Sequence, residues 1–134
     1  MNRSTLISAV QQCCTLCGYN SRTLGIQNLT AQAPQFPAAL ICEPTFQSIE
    51  GRNHGKIVYG LQLYLLDAGI HLSPEQRSQL IAKIESNLLE ILSQLSEHEK
   101  IACIDELTIE PIARAVVGLG EVGVVAKCMV TTIF

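Results

Sequence analysis

The chain has 134 residues, of which 48% are hydrophobic, and a formal net charge of −3. This length and apolar content predict a single folded domain over residues 1–134 and exclude a disordered chain. Aromatic residues make up only 4% and Trp is absent, so aliphatic side chains must fill the core. A slightly acidic chain has no broad positive field, so we expect no specific nucleic-acid binding.

The apolar runs are all shorter than the roughly 20 residues of a membrane-spanning helix, so no membrane role is expected. Residues 1–17 hold one basic side chain, Arg3, which makes a poor secretory signal. We therefore expect an intracellular protein. Its six cysteines are then expected to be reduced and to pack as small hydrophobic side chains.

The first predicted helix spans residues 3–17, where apolar side chains recur at helical spacing and Gly18 is a typical helix end. Residues 18–37 follow and combine glycines and prolines with many polar side chains. This composition predicts a long, partly mobile connection without secondary structure, suited to serve as a contact arm.

Two strands are predicted next, over residues 38–49 and 56–66, joined by a turn at 50–55. Pro44 has no amide hydrogen to donate to a ladder, so it indicates a sheet edge or a bulge. Alternation is clearest in the second strand, with apolar residues on one face: Ile57, Tyr59, Leu61, Leu63 and Leu65. The two strands should form an antiparallel hairpin.

The strongest helix signal begins at Ser73, a predicted N-cap. Pro74 suits the first helical position and Gln76 completes a capping box. The helix is predicted to run to about Leu95. It carries a wide apolar stripe for the core: Leu80, Ile81, Ile84, Leu88, Ile91, Leu92 and Leu95.

The last two predicted strands cover residues 102–114 and 121–134 and are joined by a turn that contains Gly118 and Gly120. Pro111 again indicates an edge or a bulge. Both faces of the final strand are apolar, so we expect the helices or another subunit to cover them. The predicted fold is α+β in the order α-β-β-α-β-β, with two main helices packed on an antiparallel four-stranded sheet.

A C-x-x-C motif lies at residues 14–17, preceded by Cys13. A redox motif of this type follows a strand and opens a helix, whereas this one lies near a predicted helix end. A structural zinc site usually has four ligands, and the three histidines are scattered along the chain. Core packing is the favoured interpretation. The alternative is a small metal- or ligand-binding domain that uses the Cys13, Cys14 and Cys17 cluster.

Residues 118–123 match the pattern G-x-G-x-x-G. This pattern binds a dinucleotide only where it follows a strand and opens a helix, and here a strand is predicted to follow. A glycine-rich hairpin turn is the favoured interpretation. No Ser or Cys has a visible base and orienting partner in the sequence. We therefore expect neither an enzyme nor a cofactor.

A small basic cluster, Arg52, His54 and Lys56, surrounds the turn between the first two predicted strands. A solvated hairpin tip is the simplest interpretation, because polar turns are common at the surface. The cluster is also our first candidate for a contact with another subunit or a partner.

The order of elements resembles that of the tail terminator and tail completion proteins of long-tailed phages and related prophages, over nearly the whole chain. The resemblance rests on Pro37-Ala38-Ala39-Leu40, on the Ile49-Glu50-Gly51-Arg52 turn and on Leu72-Ser73-Pro74-Glu75. It implies a small subunit of a ring, often a hexamer, that ends the tail tube or joins it to the head. Its implied partners are further copies of itself and other tail or neck proteins, without enzymatic activity or a cofactor. Its implied location is the host cytoplasm or the virion.

Overall fold

The computed structural model describes residues 1–24, 35–51, 55–112, 116 and 118–134. Two helices and six strands lie within these residues, in the order α1 Arg3–Leu16, β1 Asn20–Leu24, β2 Ala38–Cys42, β3 Thr45–Glu50, β4 Lys56–Ala68, α2 Pro74–Ser96, β5 Ile101–Pro111 and β6 Glu121–Ile133. The α+β class is therefore confirmed. The predicted antiparallel four-stranded sheet is wrong, because the six strands form one mixed sheet.

The predicted strand at residues 38–49 is divided into β2 and β3 by Glu43 and Pro44. Both strands pair antiparallel with β4, β2 with its second half and β3 with its first half. The division falls at Pro44 because proline cannot donate to the ladder. β3 also carries a bulge between Phe46 and Ser48.

β1 is the second difference from the prediction, which placed an unstructured connection over residues 18–37. β1 runs parallel to β2, with Asn20 opposite Ala38 and Leu24 opposite Cys42. The amide of Asn20 donates to the carbonyl oxygen of Pro37 at 2.9 Å, which ties the start of β1 to the sheet. The order is therefore α-β-β-β-β-α-β-β, and residues 25–34 of the expected contact arm lie outside the described residues.

The sheet has the strand order β1-β2-β4-β6-β5, with β3 in line with β2 along the same side of β4. β4 and β6 form its centre and pair along their whole lengths, from Lys56 opposite Ile133 to Ala68 opposite Glu121. The predicted last strand is thus confirmed almost to the residue. β5 ends at Pro111, earlier than expected, and its pairing with β6 is irregular in two places.

Both described helices pack on the same face of the sheet, where α2 contacts the three strands β4, β5 and β6 and α1 contacts β1, β2 and α2. The predicted apolar stripe of α2 is buried at Ile84, Leu88, Ile91, Leu92 and Leu95. Burial of each such side chain contributes about 1.5–3 kcal/mol, so this layer stabilises the fold substantially. None of the described helices is both long enough and apolar enough to cross a membrane.

The predicted capping box of α2 is confirmed. The Ser73 hydroxyl accepts from the amide of Gln76 at 3.2 Å, and the Gln76 side chain accepts from the amide of Ser73 at 2.9 Å. Asn2 and Thr5 make an equivalent box at α1. Because these bonds satisfy amides that have no partner inside the helix, both helices begin at defined residues.

Candidate interaction surfaces

The cysteine cluster lies in the last turns of α1, on the side that faces the core. Cys14 is fully buried and Cys13 nearly so, while Cys17 is half-buried. Burial raises the pKa of the Cys14 thiol to about 12, and it also raises the pKa values of Cys13 and Cys17. The thiolate is the form that binds metals and attacks electrophiles, so these thiols are poorly suited to either task.

The C-x-x-C motif also ends a helix. The amide of Gly18 donates to the carbonyl oxygen of Thr15 at 3.0 Å, and that of Tyr19 donates to Cys14 at 3.0 Å. Gly18 has a φ of +87°, the left-handed conformation that commonly follows a helix. Among the described residues, no three His, Cys, Asp or Glu side chains are grouped so that they could hold a metal ion. These observations favour core packing.

The glycine motif forms the turn that leads directly into β6. Gly118 and Gly120 have φ values of +74° and +69°, which favour glycine. The buried carboxylate of Glu121 accepts from the amides of Val116 at 2.6 Å and Leu119 at 2.9 Å. A strand rather than a helix follows the motif, so the helix N-terminus needed for a dinucleotide is missing here. Glu121, which the sequence analysis did not single out, organises this turn.

Of the predicted basic cluster, only Lys56 is among the described residues; Arg52 and His54 lie outside them. Lys56 is exposed at the start of β4 and lies opposite Glu50 of β3. The ring of Phe134 lies against Gly55, and the Phe134 amide donates to the carbonyl oxygen of Gly55 at 3.1 Å. Phe134 is 62% exposed, so the surroundings of Lys56 are partly apolar.

The face of the sheet opposite the helices carries mixed side chains. Near β1 it is buried at Leu40 and Leu66. Further along, apolar side chains are partly exposed and polar side chains lie between them. The apolar ones are Val58, Tyr64, Val125 and Met129, and the polar ones are Gln62 and Lys127. An open groove of about 380 Å³ crosses this face between the end of β2 and the irregular part of β5. We call this surface the helix-free face.

Two of the three described edge strands, β3 and β5, differ from each other, while the third, β1, pairs with β2. β3 exposes Phe46 and Ile49, which are 49% and 61% exposed. β5 exposes Asp105, Glu106 and Glu110 and ends at a proline. Within the described parts of the chain, β3 pairs with β4 alone and β5 with β6 alone, so each presents an open strand edge.

A smaller polar cavity of about 210 Å³ lies between α2, β4 and the end of α1. The hydroxyl of buried Tyr19 accepts from Nδ2 of Asn87 at 3.0 Å there. Burial raises the pKa of Tyr19, and the negative charge of Asp67 raises it further. Tyr19 lies between α1 and β1 in the chain, so its hydrogen bond to Asn87 links these elements to α2.

No protein-family model matches the chain, and no curated protein is significantly similar to it. The resemblance to tail terminator and tail completion proteins therefore remains a prediction.

Proposed function

We propose that this chain is a structural subunit of a phage-like tail or neck, which forms a ring that ends the tail tube or joins it to the head. The proposal starts from the resemblance in element order, with β1 and the division at Pro44 as additions to that order. Its partners are further copies of the chain and other tail or neck proteins.

The uneven covering of the sheet is the observation that supports an assembly role most. Both described helices lie on one face, while Val58, Val125 and Met129 are partly exposed on the helix-free face. Strongly exposed Phe46 and Ile49 flank that sheet at the β3 edge. Apolar surface of this kind commonly marks a protein interface, because contact with a partner removes it from water.

The chemistry of the described side chains agrees with a structural role. The buried thiols have raised pKa values, and the two motifs that resemble enzyme signatures serve as a helix end and a hairpin turn. The alternative, a small metal- or ligand-binding domain that uses Cys13, Cys14 and Cys17, has less support. Cys14 would have to leave the core and lose its proton to bind a metal.

The mass of the purified full chain tests the proposal. Light scattering and native mass spectrometry should give one discrete mass several times the 14.6 kDa of the chain, and negative-stain electron microscopy should show rings with a central opening. A monomer across the whole micromolar range would contradict the proposal. Stoichiometric metal in elemental analysis, with a loss of stability in chelator, would favour the alternative instead.

A further inference from the structure

The outer edge of β3 carries exposed apolar side chains and has no pairing partner within the described ranges of the chain. Among the described residues, β4 is the single pairing partner of β3. The outer edge of such a strand carries amides and carbonyls that can pair with another strand. Phe46 and Ile49 add apolar surface beside these groups. The edge can therefore form both a backbone ladder and a side-chain contact.

The bulge in β3 places both apolar side chains on the same face. Residues three apart in a regular strand point to opposite faces, but Gln47 is an extra residue between the pairs Phe46–Tyr59 and Ser48–Val58. Phe46 therefore lies opposite Tyr59, and Ile49 lies opposite Ile57. Tyr59 and Ile57 both belong to the hydrophobic core on the helix-covered face.

We propose that β3 pairs antiparallel with β3 of a second copy of this chain, across a twofold axis between Gln47 and Ser48. In this register Phe46 lies opposite Ile49 of the second copy, and Thr45 lies opposite Glu50. Each pair occurs twice because the contact is symmetric. The result is one sheet that continues through both copies.

The register is self-complementary in its apolar contacts. The ring of Phe46 already meets the ring of Tyr59 edge to face, with the centroids 6.5 Å apart. In the proposed register, Ile49 of the second copy packs beside Phe46 on the same face. Ile57 of the second copy lies next to that Ile49, so four side chains form one apolar row across the contact. Aromatic and β-branched side chains directly opposite each other are among the pairs that stabilise a sheet.

The charges also fit a second copy of β3. Glu50, the one charged residue of the strand, lies beside Lys56 of its own chain and would face the uncharged Thr45 of the other. No carboxylate then opposes another. The equivalent contact between two β5 strands would bring together Asp105, Glu106 and Glu110 from both copies, and like charges placed opposite each other destabilise a sheet.

This inference rests on the proposed assembly role and assigns one contact of that assembly. A twofold contact pairs two copies and does not close a ring by itself, because a ring requires two different complementary surfaces. The dimer and the ring differ in mass, so mass measurements distinguish the β3 contact from the proposed ring.

The first test replaces Ile49 with lysine. Because Ile49 is 61% exposed, Ile49→Lys should fold normally while it places two charges in the contact. We expect the dissociation constant of the dimer to rise about 100-fold in sedimentation equilibrium, since the loss is counted twice across the axis. Leu89→Lys is the matched control, since Leu89 is 52% exposed on α2. It should leave the constant unchanged.

A second test checks the register by disulfide trapping. Phe46→Cys and Ile49→Cys are each made with Cys103→Ser, which removes the exposed native thiol. Residues opposite each other in an antiparallel pair lie about 4.5–5.5 Å apart at Cα, within disulfide range. Mild oxidation should therefore cross-link the mixture of the two variants and neither variant alone.

The outcomes distinguish the contact from the ring. A wild-type monomer at all concentrations, or cross-linking of each variant with itself, would overturn the β3 contact. A ring that persists unchanged in Ile49→Lys would overturn this contact and leave the proposed function standing. A dimer that is lost in Ile49→Lys, without larger particles in the wild type, would support the contact and contradict the ring.

Discussion

The edge strands β3 and β5 lie on opposite sides of the sheet, and their open edges differ in regularity and charge. β5 is irregular in two places and carries three exposed acids, and Glu106 has a φ of +54°. Such bulges and charges keep a strand edge from pairing with other chains. β3 has one bulge, which brings Phe46 and Ile49 to one face. An irregularity can thus protect one edge and prepare another for contact.

The largest effect is expected from a change to the core that supports both edges. Leu88 is fully buried on α2, so Leu88→Ala should lower the free energy of unfolding by about 2–5 kcal/mol. Urea unfolding measures this best in the Ile49→Lys background, where association does not contribute. The adjacent, exposed Leu89→Ala should change stability by less than about 0.5 kcal/mol. Equal losses in the two variants would contradict the assigned core.

Next in size is a change at the turn that leads from β5 to β6. Glu121→Gln removes the charge from the buried side chain that accepts from Val116 and Leu119. We expect a loss of about 1–3 kcal/mol, because hydrogen bonds to a charged group become weaker or unmade. The dimer constant at β3 should not change. A change in both the free energy of unfolding and the dimer dissociation constant would show that the two edges are coupled.

A thiol in the core and a thiol on the β5 edge should affect stability at alkaline pH differently. The pKa of Cys14 is raised from 9.0 to about 12 by burial, so the folded state keeps the proton that the unfolded state loses first. Its contribution to stability is complete below pH 9 and decreases as the pH rises towards 12. Cys14→Ala should flatten the alkaline decrease seen in urea unfolding, while exposed Cys103→Ala should not. Identical slopes would contradict the burial of Cys14.

A smaller and opposite effect is expected at Glu106. Its φ of +54° is costly for a residue with a side chain, so Glu106→Gly should stabilise the chain by about 1 kcal/mol. Thermal unfolding in the Ile49→Lys background measures the gain. Leu107→Gly, at the next position, should destabilise the chain, because Leu107 does not have a positive φ and glycine is more flexible when unfolded. Destabilisation by both Glu106→Gly and Leu107→Gly would contradict backbone strain at Glu106.

The smallest effect on stability is expected when acidic side chains that oppose edge pairing are removed from β5. Asp105→Thr combined with Glu110→Thr should change the free energy of unfolding by less than about 0.5 kcal/mol, since both side chains are exposed. The same variant should associate beyond the dimer in light scattering, because the like charges no longer oppose edge pairing. An unchanged mass would mean that the irregular backbone alone protects β5.

Several elements could be predicted from the sequence because their signals are local. The Ser73 capping box, the apolar stripe of α2 and the alternation in β4 depend on spacing within one segment, and the structure confirms them. The rejection of the redox and dinucleotide interpretations also used local context: one motif ends a helix and the other precedes a strand.

Other features could not be predicted because their partners are distant in the chain. The segment Asn20–Leu24 has little strand propensity, and its strand conformation depends on pairing with β2. Pro44 indicated an edge or a bulge, but the division into two strands depends on the length of β4. The role of Glu121 likewise depends on amides that the turn brings towards it.

By itself, the sequence determined the class of fold, the positions of the two helices and the long central strands, since periodicity and capping depend on neighbouring residues. Tertiary structure decided that Asn20–Leu24 joins the sheet, which cysteines are buried and which exposed apolar side chains share a face. Phe46 and Ile49 show the difference most directly. Their spacing places them on opposite faces of a regular strand, and only the bulge formed against β4 brings them together.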